Sequence, residues 1–500
     1  MPAALPDIDH KSFNLAEYVL QQAAHSPDKT ALAVLGNEQT TLTYAALDAA
    51  VRGTATGLQL MGLHPGARVL LQLGNSVDFP IAYLGAIAAG LVPVPLSSQL
   101  TAPEVAEIQT RIAPALTIIA PGMAECTAPQ LPLTELRTFR DFAPADYHRG
   151  DAERPAYILF TSGTSGRPQA VVHAHRAILA RRMMWRDWYD LQQDDRMLHA
   201  GAFNWSFTLG TGLLDPWTIG ATALVPAEGT EITDLGGLIK KHEATVFAAA
   251  PGVYRRLLRS DIPRLPSLRH GLCAGESLPP DLRLKWRQAT GTDVHEAFGM
   301  SECSTFLSGS PHRPAPSSSL GYAQKGRRVT IWGADGPLAD GECGTIAVHR
   351  SDPGLMLGYL DDPAATASRF QGDWFLTGDL AVRQHDGAFL YQGRADDMMN
   401  AGGYRVSPIE VEVALSQHPL IRDAAVCAVQ PRKDVFVIAA FYVASDVIDD
   451  EELHRFCAAR LAGYKRPRLF VARDTLPRGA NNKLLRRALR DSWEAEHGQA

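Results

Sequence analysis

Along the first 300 residues, short apolar and β-branched runs alternate with longer stretches whose apolar positions recur at helical spacing. The pattern predicts strands at 68–73, 92–95 and 116–120, with helices at 78–89 and 102–112 between them. The rhythm returns with helices at 235–243, 252–258 and 280–289, spaced by strands at 245–249, 270–274 and 293–298. Strands separated by helices imply parallel sheets, with ligands at loops beyond the strands' carboxyl ends. From about residue 328 the pattern shortens. Strands at 329–332, 344–349 and 388–392, with glycine-marked turns at 333–336 and 341–344, predict a smaller, more antiparallel section. A helix from 407 or 408 to 416, strands at 423–429 and 435–443, a helix at 450–461 and a strand at 468–471 then make a compact α+β unit. The expected fold is therefore α/β. A large domain, 1–395, holds parallel-sheet subdomains and an antiparallel section, and a small α+β domain, 396–500, follows. The longest apolar run, 81–96, is broken by glycine and proline and is short for a membrane span, which makes it core.

Composition narrows the class. A chain of 500 residues is too long for one core. Lys and Arg number 48 against 54 Asp and Glu, a net charge of −6, so there is no basic excess for nucleic acid. The six cysteines are scattered without a C-x-x-C pair, which argues against a zinc ribbon or disulfide framework and for a reducing, cytoplasmic setting. The first residues carry acids and prolines where a secretory leader needs a basic and then an apolar run.

The strongest chemical signal is a hydrophobic strand running into Thr161, Ser162, Gly163, Thr164, Ser165 and Gly166. Glycines let backbone N–H groups converge and hydroxyls add donors, so such a loop can wrap an anion, phosphate above all. It is not a Walker loop, because no Gly-Lys-Ser/Thr occurs in the chain.

This segment resembles the phosphate loop of the acyl-adenylating superfamily of acyl-CoA synthetases, peptide-synthetase adenylation domains and luciferases. Five further segments match in the family's order. Gly275-Glu276-Ser277 resembles the adenine-contacting segment. His295-Glu296-Ala297-Phe298-Gly299-Met300-Ser301-Glu302 resembles the Tyr-Gly-x-Thr-Glu motif. The resemblance implies that Phe298 stacks on adenine, with Glu296, Ala297 and Gly299 beside it. It further implies that Ser301 contacts the α-phosphate and that Glu302 holds Mg²⁺. Trp374-Phe-Leu-Thr377-Gly378-Asp379 resembles the segment whose Asp accepts from ribose hydroxyls. The stretch from Gly393 to Glu412 resembles the interdomain hinge and following loop. By this resemblance Arg394 binds ribose or phosphate, Asp396 is the hinge, and Gly403 lets the backbone approach the pantetheine arm of CoA. Leu476-Pro477 through Asn482-Lys483 resembles the signature of the catalytic lysine, Lys483, one of nine lysines in an arginine-rich chain.

Two positions depart from the family pattern. Gln169 stands where the phosphate loop has lysine, and Asn482 where the lysine signature has glycine. The first removes a positive charge near the β- and γ-phosphates, for which Arg167 is a candidate substitute.

The resemblance implies an acid–CoA ligase using ATP, Mg²⁺ and CoA. A carboxylate displaces pyrophosphate to give acyl-AMP, and the small domain then turns on Asp396 so that the CoA thiol can take the acyl group. Trp205, Ser206 and Phe207, with Ala274 and Phe298, suggest an apolar acid slot. That suits a benzoate-like acid or a short to medium fatty acid, and the surrounding sequence leans towards benzoate-CoA-ligase-like members. Two alternatives stay open: loading of a separate carrier protein, and nucleotide binding without turnover. A homodimer is allowed; neither nucleic acid nor a membrane is an expected partner.

Overall fold

The computed structural model describes residues 8–36, 40–124, 127–162, 168–275, 278, 280–317, 319–394, 399–401, 404–406, 408–432, 435–477 and 486–497. Among them, the largest sheet has fourteen strands. Its parallel half runs through His270–Ala274, Val246–Ala249, Arg196–Ala200, Thr222–Pro226 and Thr30–Leu35. Val294–Met300 is the seam. It pairs in parallel with His270–Ala274 on one side and antiparallel with Ser304–Ser308 on the other. Beyond it every pairing is antiparallel, out to Val329–Trp332. The antiparallel section thus starts at Ser304, not near 328 as the pattern suggested, and it continues the parallel sheet instead of standing apart from it.

A second, four-stranded parallel sheet carries Val92–Pro95, Arg68–Gln72 and Leu116–Ile119. Its helix Asp78–Ala88 is buried at every position, which is where the 81–96 run goes. The helix Ala102–Ile112 starts on a capping box. The Glu104 carboxylate accepts from the Thr101 N–H at 2.9 Å and Thr101 caps in return, satisfying two of the open N–H groups of the first turn. Pro155–Ser162 and Pro168–Ala174, on either side of the glycine- and hydroxyl-rich segment in sequence, pair antiparallel.

The small C-terminal domain is a three-stranded sheet of Ile421–Arg432, Val435–Ala444 and Leu469–Ala472. Alternation along its first strand divides the burial. Val426 joins the cluster with helices Pro408–Ser416 and Asp450–Ala458, while Ala425, Cys427 and Val429 pack on Leu489 and Trp493 of Arg486–His497. None of the five described cysteines is in a disulfide bond, and no helix among the described residues is long and apolar enough to cross a membrane.

Candidate active site

A cavity of about 190 Å³ lies at the carboxyl ends of the parallel strands, where the topology calls for a ligand. Ala274 and Gly275 border it from one strand end, Gly299, Met300 and Ser301 from the next, and Thr161 from the strand Pro155–Ser162. The turn at Gly275 has φ 92°, which a residue without a side chain adopts freely.

Its walls are apolar. Trp205 meets Phe207 edge-on at 5.0 Å between ring centroids, and Phe207 packs on Trp188 at 5.7 Å and on His199 at 4.4 Å. Ser206 also lines the space. His199 is fully buried beneath Phe207 with neither ring nitrogen partnered among the described residues; burial pushes its pKa down to about 3, so it is neutral.

The floor is not the apolar slot that the sequence suggested. Arg181 lines it, held to Asp215 by two bonds of 2.7 and 2.6 Å and to the Ser304 hydroxyl at 2.8 Å. Burial works against a charged guanidinium, but Asp215 outweighs it and Arg181 stays protonated. Phe298 belongs to the other face of its strand, 5.6 Å from Phe306 and 5.9 Å from Tyr391.

On that other face two of the sequence-predicted nucleotide residues, Phe298 and Asp379, meet around Tyr391, whereas Thr161, Gly275, Gly299 and Ser301 line the cavity. The Tyr391 hydroxyl donates to Asp379 Oδ1 at 3.0 Å, which ties the buried carboxylate to the ring that stands beside Phe298. Asp379 follows Gly378, whose φ is 79°, and its N–H is held by Thr377 Oγ1 at 3.1 Å. Arg394 is the residue directly opposite Asp379 in the register of the paired strands.

The Ser301 carbonyl accepts from His173 Nε2 at 2.7 Å. Burial lowers His173 to about 4, so it is neutral, and its proton must sit on Nε2 to make that bond. Glu302 is buried and accepts from the Tyr359 hydroxyl at 2.9 Å. Glu296 turns elsewhere. Its carboxylate accepts from the Leu278 N–H at 3.1 Å and faces Arg283 at 3.4 Å, and burial raises its pKa to about 7. It braces the turn after Ala274, while Ala297, one residue on, packs with Phe207 and Ala274 behind the cavity.

Several functional groups had no local sequence signal. Arg111, at the end of the capped helix, donates to Gln169 Oε1 at 2.7 Å and so brings a guanidinium to the position where lysine is missing. Lys465 closes the cavity mouth with Tyr404 and Tyr464, whose rings stack at 4.0 Å. Its ammonium bridges Glu104 of the large domain at 3.1 Å and Glu410 of the small one at 2.7 Å. Glu104 therefore caps its helix with one oxygen and receives Lys465 with the other. Trp205 reaches Tyr404 at 6.1 Å across the same gap. Gly163, Thr164, Ser165, Gly166, Arg167, Glu276, Ser277, Asp396, Gly403, Asn482 and Lys483 lie outside the described residues, as do the side chains of Ser162 and Arg394.

The chain matches the family described as AMP-binding enzyme over residues 19–360, and the AMP-binding enzyme C-terminal domain over 410–483. It is 31% identical over 491 residues to the 4-hydroxybenzoate–CoA/benzoate–CoA ligase of Rhodopseudomonas palustris, covering 91% of this chain and 89% of that protein. Among solved structures, a double mutant of o-succinylbenzoate CoA synthetase from Bacillus subtilis, bound with a product analogue, superposes with a TM-score of 0.85. It shares 25% identity and covers 96% of this chain and 99% of that one. ATP-bound MatB from Rhodopseudomonas palustris superposes with a TM-score of 0.71 at 25% identity, covering 97% of this chain and 99% of that one. With its two parts matched in order over residues 19–360 and 410–483, the chain belongs to the AMP-binding enzyme family.

Proposed function

We propose that the protein is an ATP-dependent acid–CoA ligase acting on an aryl acid. The observation that carries this is the seam strand Val294–Met300. It sets a nucleotide face, Phe298 with Tyr391 and Asp379, against an acid cavity walled by Trp205, Phe207 and Ala274. Gly299–Ser301 lies where the two meet. The size of the cavity, about 190 Å³, favours one ring over a long chain, since a void of about 150 Å³ admits benzene.

In the first half-reaction a carboxylate oxygen attacks the α-phosphorus of ATP and pyrophosphate leaves. Phe298 stacks on the base, Asp379 and Arg394 hold the ribose, and Thr161 with the loop after it receives the phosphates. Arg111 offers charge on the Gln169 side. Ser301, fixed by His173, contacts the α-phosphate, and Lys483 bridges the reacting oxygens. This is positioning and electrostatic stabilisation more than acid–base work. A single buried carboxylate, Glu302, fits Mg²⁺, an ion that takes its other oxygens from phosphate and water. When bound there, it would offset phosphate charge.

In the second half-reaction the CoA thiol, giving up its proton, attacks the acyl carbonyl and AMP leaves. We take this step as a rotation of the small domain about Asp396, with Gly403 beside the pantetheine arm. The small domain meets the cavity mouth through Lys465 and the stacked tyrosines. The better superposition on the product-analogue complex than on the ATP-bound one supports reading this as the thioester-forming arrangement. The lack of a disulfide among the described cysteines favours a reducing compartment, the cytoplasm. The test is a pyrophosphate-release screen over aryl, short, medium and long-chain acids, with and without CoA. Release with ring acids, and thioester only when CoA is present, is expected; no release with any acid would sink the proposal.

A further inference from the structure

We infer that the acid carries a neutral oxygen function, a hydroxyl or keto group, in addition to its carboxylate, and that Arg181 and Ser304 recognise it. This rests on the acid–CoA ligase reading and narrows it.

The walls of the cavity need no polar partner, yet its floor holds a built polar end. Arg181 spends Nε and Nη2 on Asp215, with Tyr189 and Thr211 also at Nη2, and one Nη1 hydrogen on Ser304. Its second Nη1 hydrogen has no partner among the described residues, and 10% of the side chain is still open although Asp215 beneath it is sealed at 1%. The Ser304 hydroxyl accepts from Arg181, and its own proton goes to no described residue. Two donors therefore converge on one corner of the cavity.

The surrounding backbone is shaped to put them there. Ser304 has φ 60°, a left-handed conformation that non-glycine residues rarely adopt and that concentrates at ligand sites. Gly210 passes so close that a Cβ would lie 2.1 Å from the guanidinium. It sits in the π-helical segment Thr208–Leu214, a widened turn often found at functional sites.

Charge selects the ligand group. Asp215 balances Arg181 within the floor, so the corner is neutral as a whole and donor-rich. A second carboxylate would bring uncompensated charge against a largely buried ion pair, and an alkyl group would leave the donors unpaired; a hydroxyl or keto oxygen satisfies them.

The experiment compares kcat/KM for 3- and 4-hydroxybenzoate with that for the size-matched 3- and 4-methylbenzoates and for the ring dicarboxylates, in wild type, Ser304→Ala and Ser304→Gly. The best hydroxy acid should exceed its methyl counterpart by about tenfold or more, the worth of a hydrogen bond to a charged group. Both variants should bring that ratio towards one. A ratio within one variant does not depend on how much of it folds. Equal or better use of the methyl acids, a ratio unmoved in both variants, or a preference for a dicarboxylate overturns the inference while leaving ligase activity established. Pyrophosphate release with aliphatic acids only does the same. No release with any acid fails the ligase reading and this inference together.

Discussion

At the floor of the cavity, Arg181, Asp215 and Ser304 all come from the large domain and hold one another through buried bonds of 2.6 to 2.8 Å. At its mouth, Trp205 and Glu104 of the large domain meet Tyr404, Tyr464, Glu410 and Lys465 of the small one. The floor is completed once, on folding; the mouth is completed only when the domains come together. Under the proposed function, recognition of the acid and passage between half-reactions then fall to different parts of one cavity.

The largest test of that contrast is acid. Burial holds His173 and His270 at about 4, and His175, His199 and His295 at about 3, all of them in the large domain. Each binds a proton more readily unfolded, near 6.5, than folded. Their contribution is complete above pH 6.5 and is lost as pH falls towards 4 and 3. Amide exchange followed from pH 7 to 4.5 should show the large domain opening first; earlier opening of the small domain would contradict this.

Next in size, Arg181→Met leaves the buried Asp215 without its cation, with only the Tyr189 hydroxyl still donating to it at 2.8 Å, and should cost about 3 to 5 kcal/mol of stability in denaturant unfolding. Lys483→Ala should cut ATP–pyrophosphate exchange by roughly 100- to 1000-fold while sparing thioester formation from supplied acyl-adenylate. If exchange survives intact, Lys483 does not have the role given it. Lys465→Met should do the reverse, slowing the thioester step by about tenfold with exchange spared, since a loss of about 1.4 kcal/mol at the latch suffices. Equal effects on both steps would mean that the mouth is plain scaffold. The smallest effect is expected of Trp205→Ala. It should reorder the ring acids by a few-fold in kcat/KM, and an unchanged order would remove Trp205 from the acid site.

Legibility in the sequence followed the range of the signal. The strands Val92–Pro95 and His270–Ala274 and the helix Ala102–Ile112 fall at the bounds the pattern predicted, because apolar spacing and caps are local. Phe298 and Asp379 were readable as motif members, though not the Tyr391 hydroxyl beside them. The reversal at Ser304 was hidden because it uses a serine at positive φ where a glycine or proline would have announced a turn. The helix expected to reach 461 stops at Ala458, its end passing into a turn in which the Leu461 N–H still bonds the Cys457 carbonyl. The return strand Pro168–Ala174 was masked by its leading proline and glycine-rich approach. Arg181 and Asp215 are 34 residues apart, and Lys465 is 361 from Glu104. Pairs that fold brings together across such distances leave no trace in local pattern.

The seam strand has one more implication, for how such a protein can change. Ala297 and Phe298 are neighbours in sequence but serve opposite faces, one packed with Phe207 behind the cavity and the other against Phe306 and Tyr391. A one-residue slip there would exchange the two surfaces at once. Novelty in substrate choice therefore enters more readily from outside the strand, at positions such as 205 and 304, where a change of side chain breaks no buried ion pair.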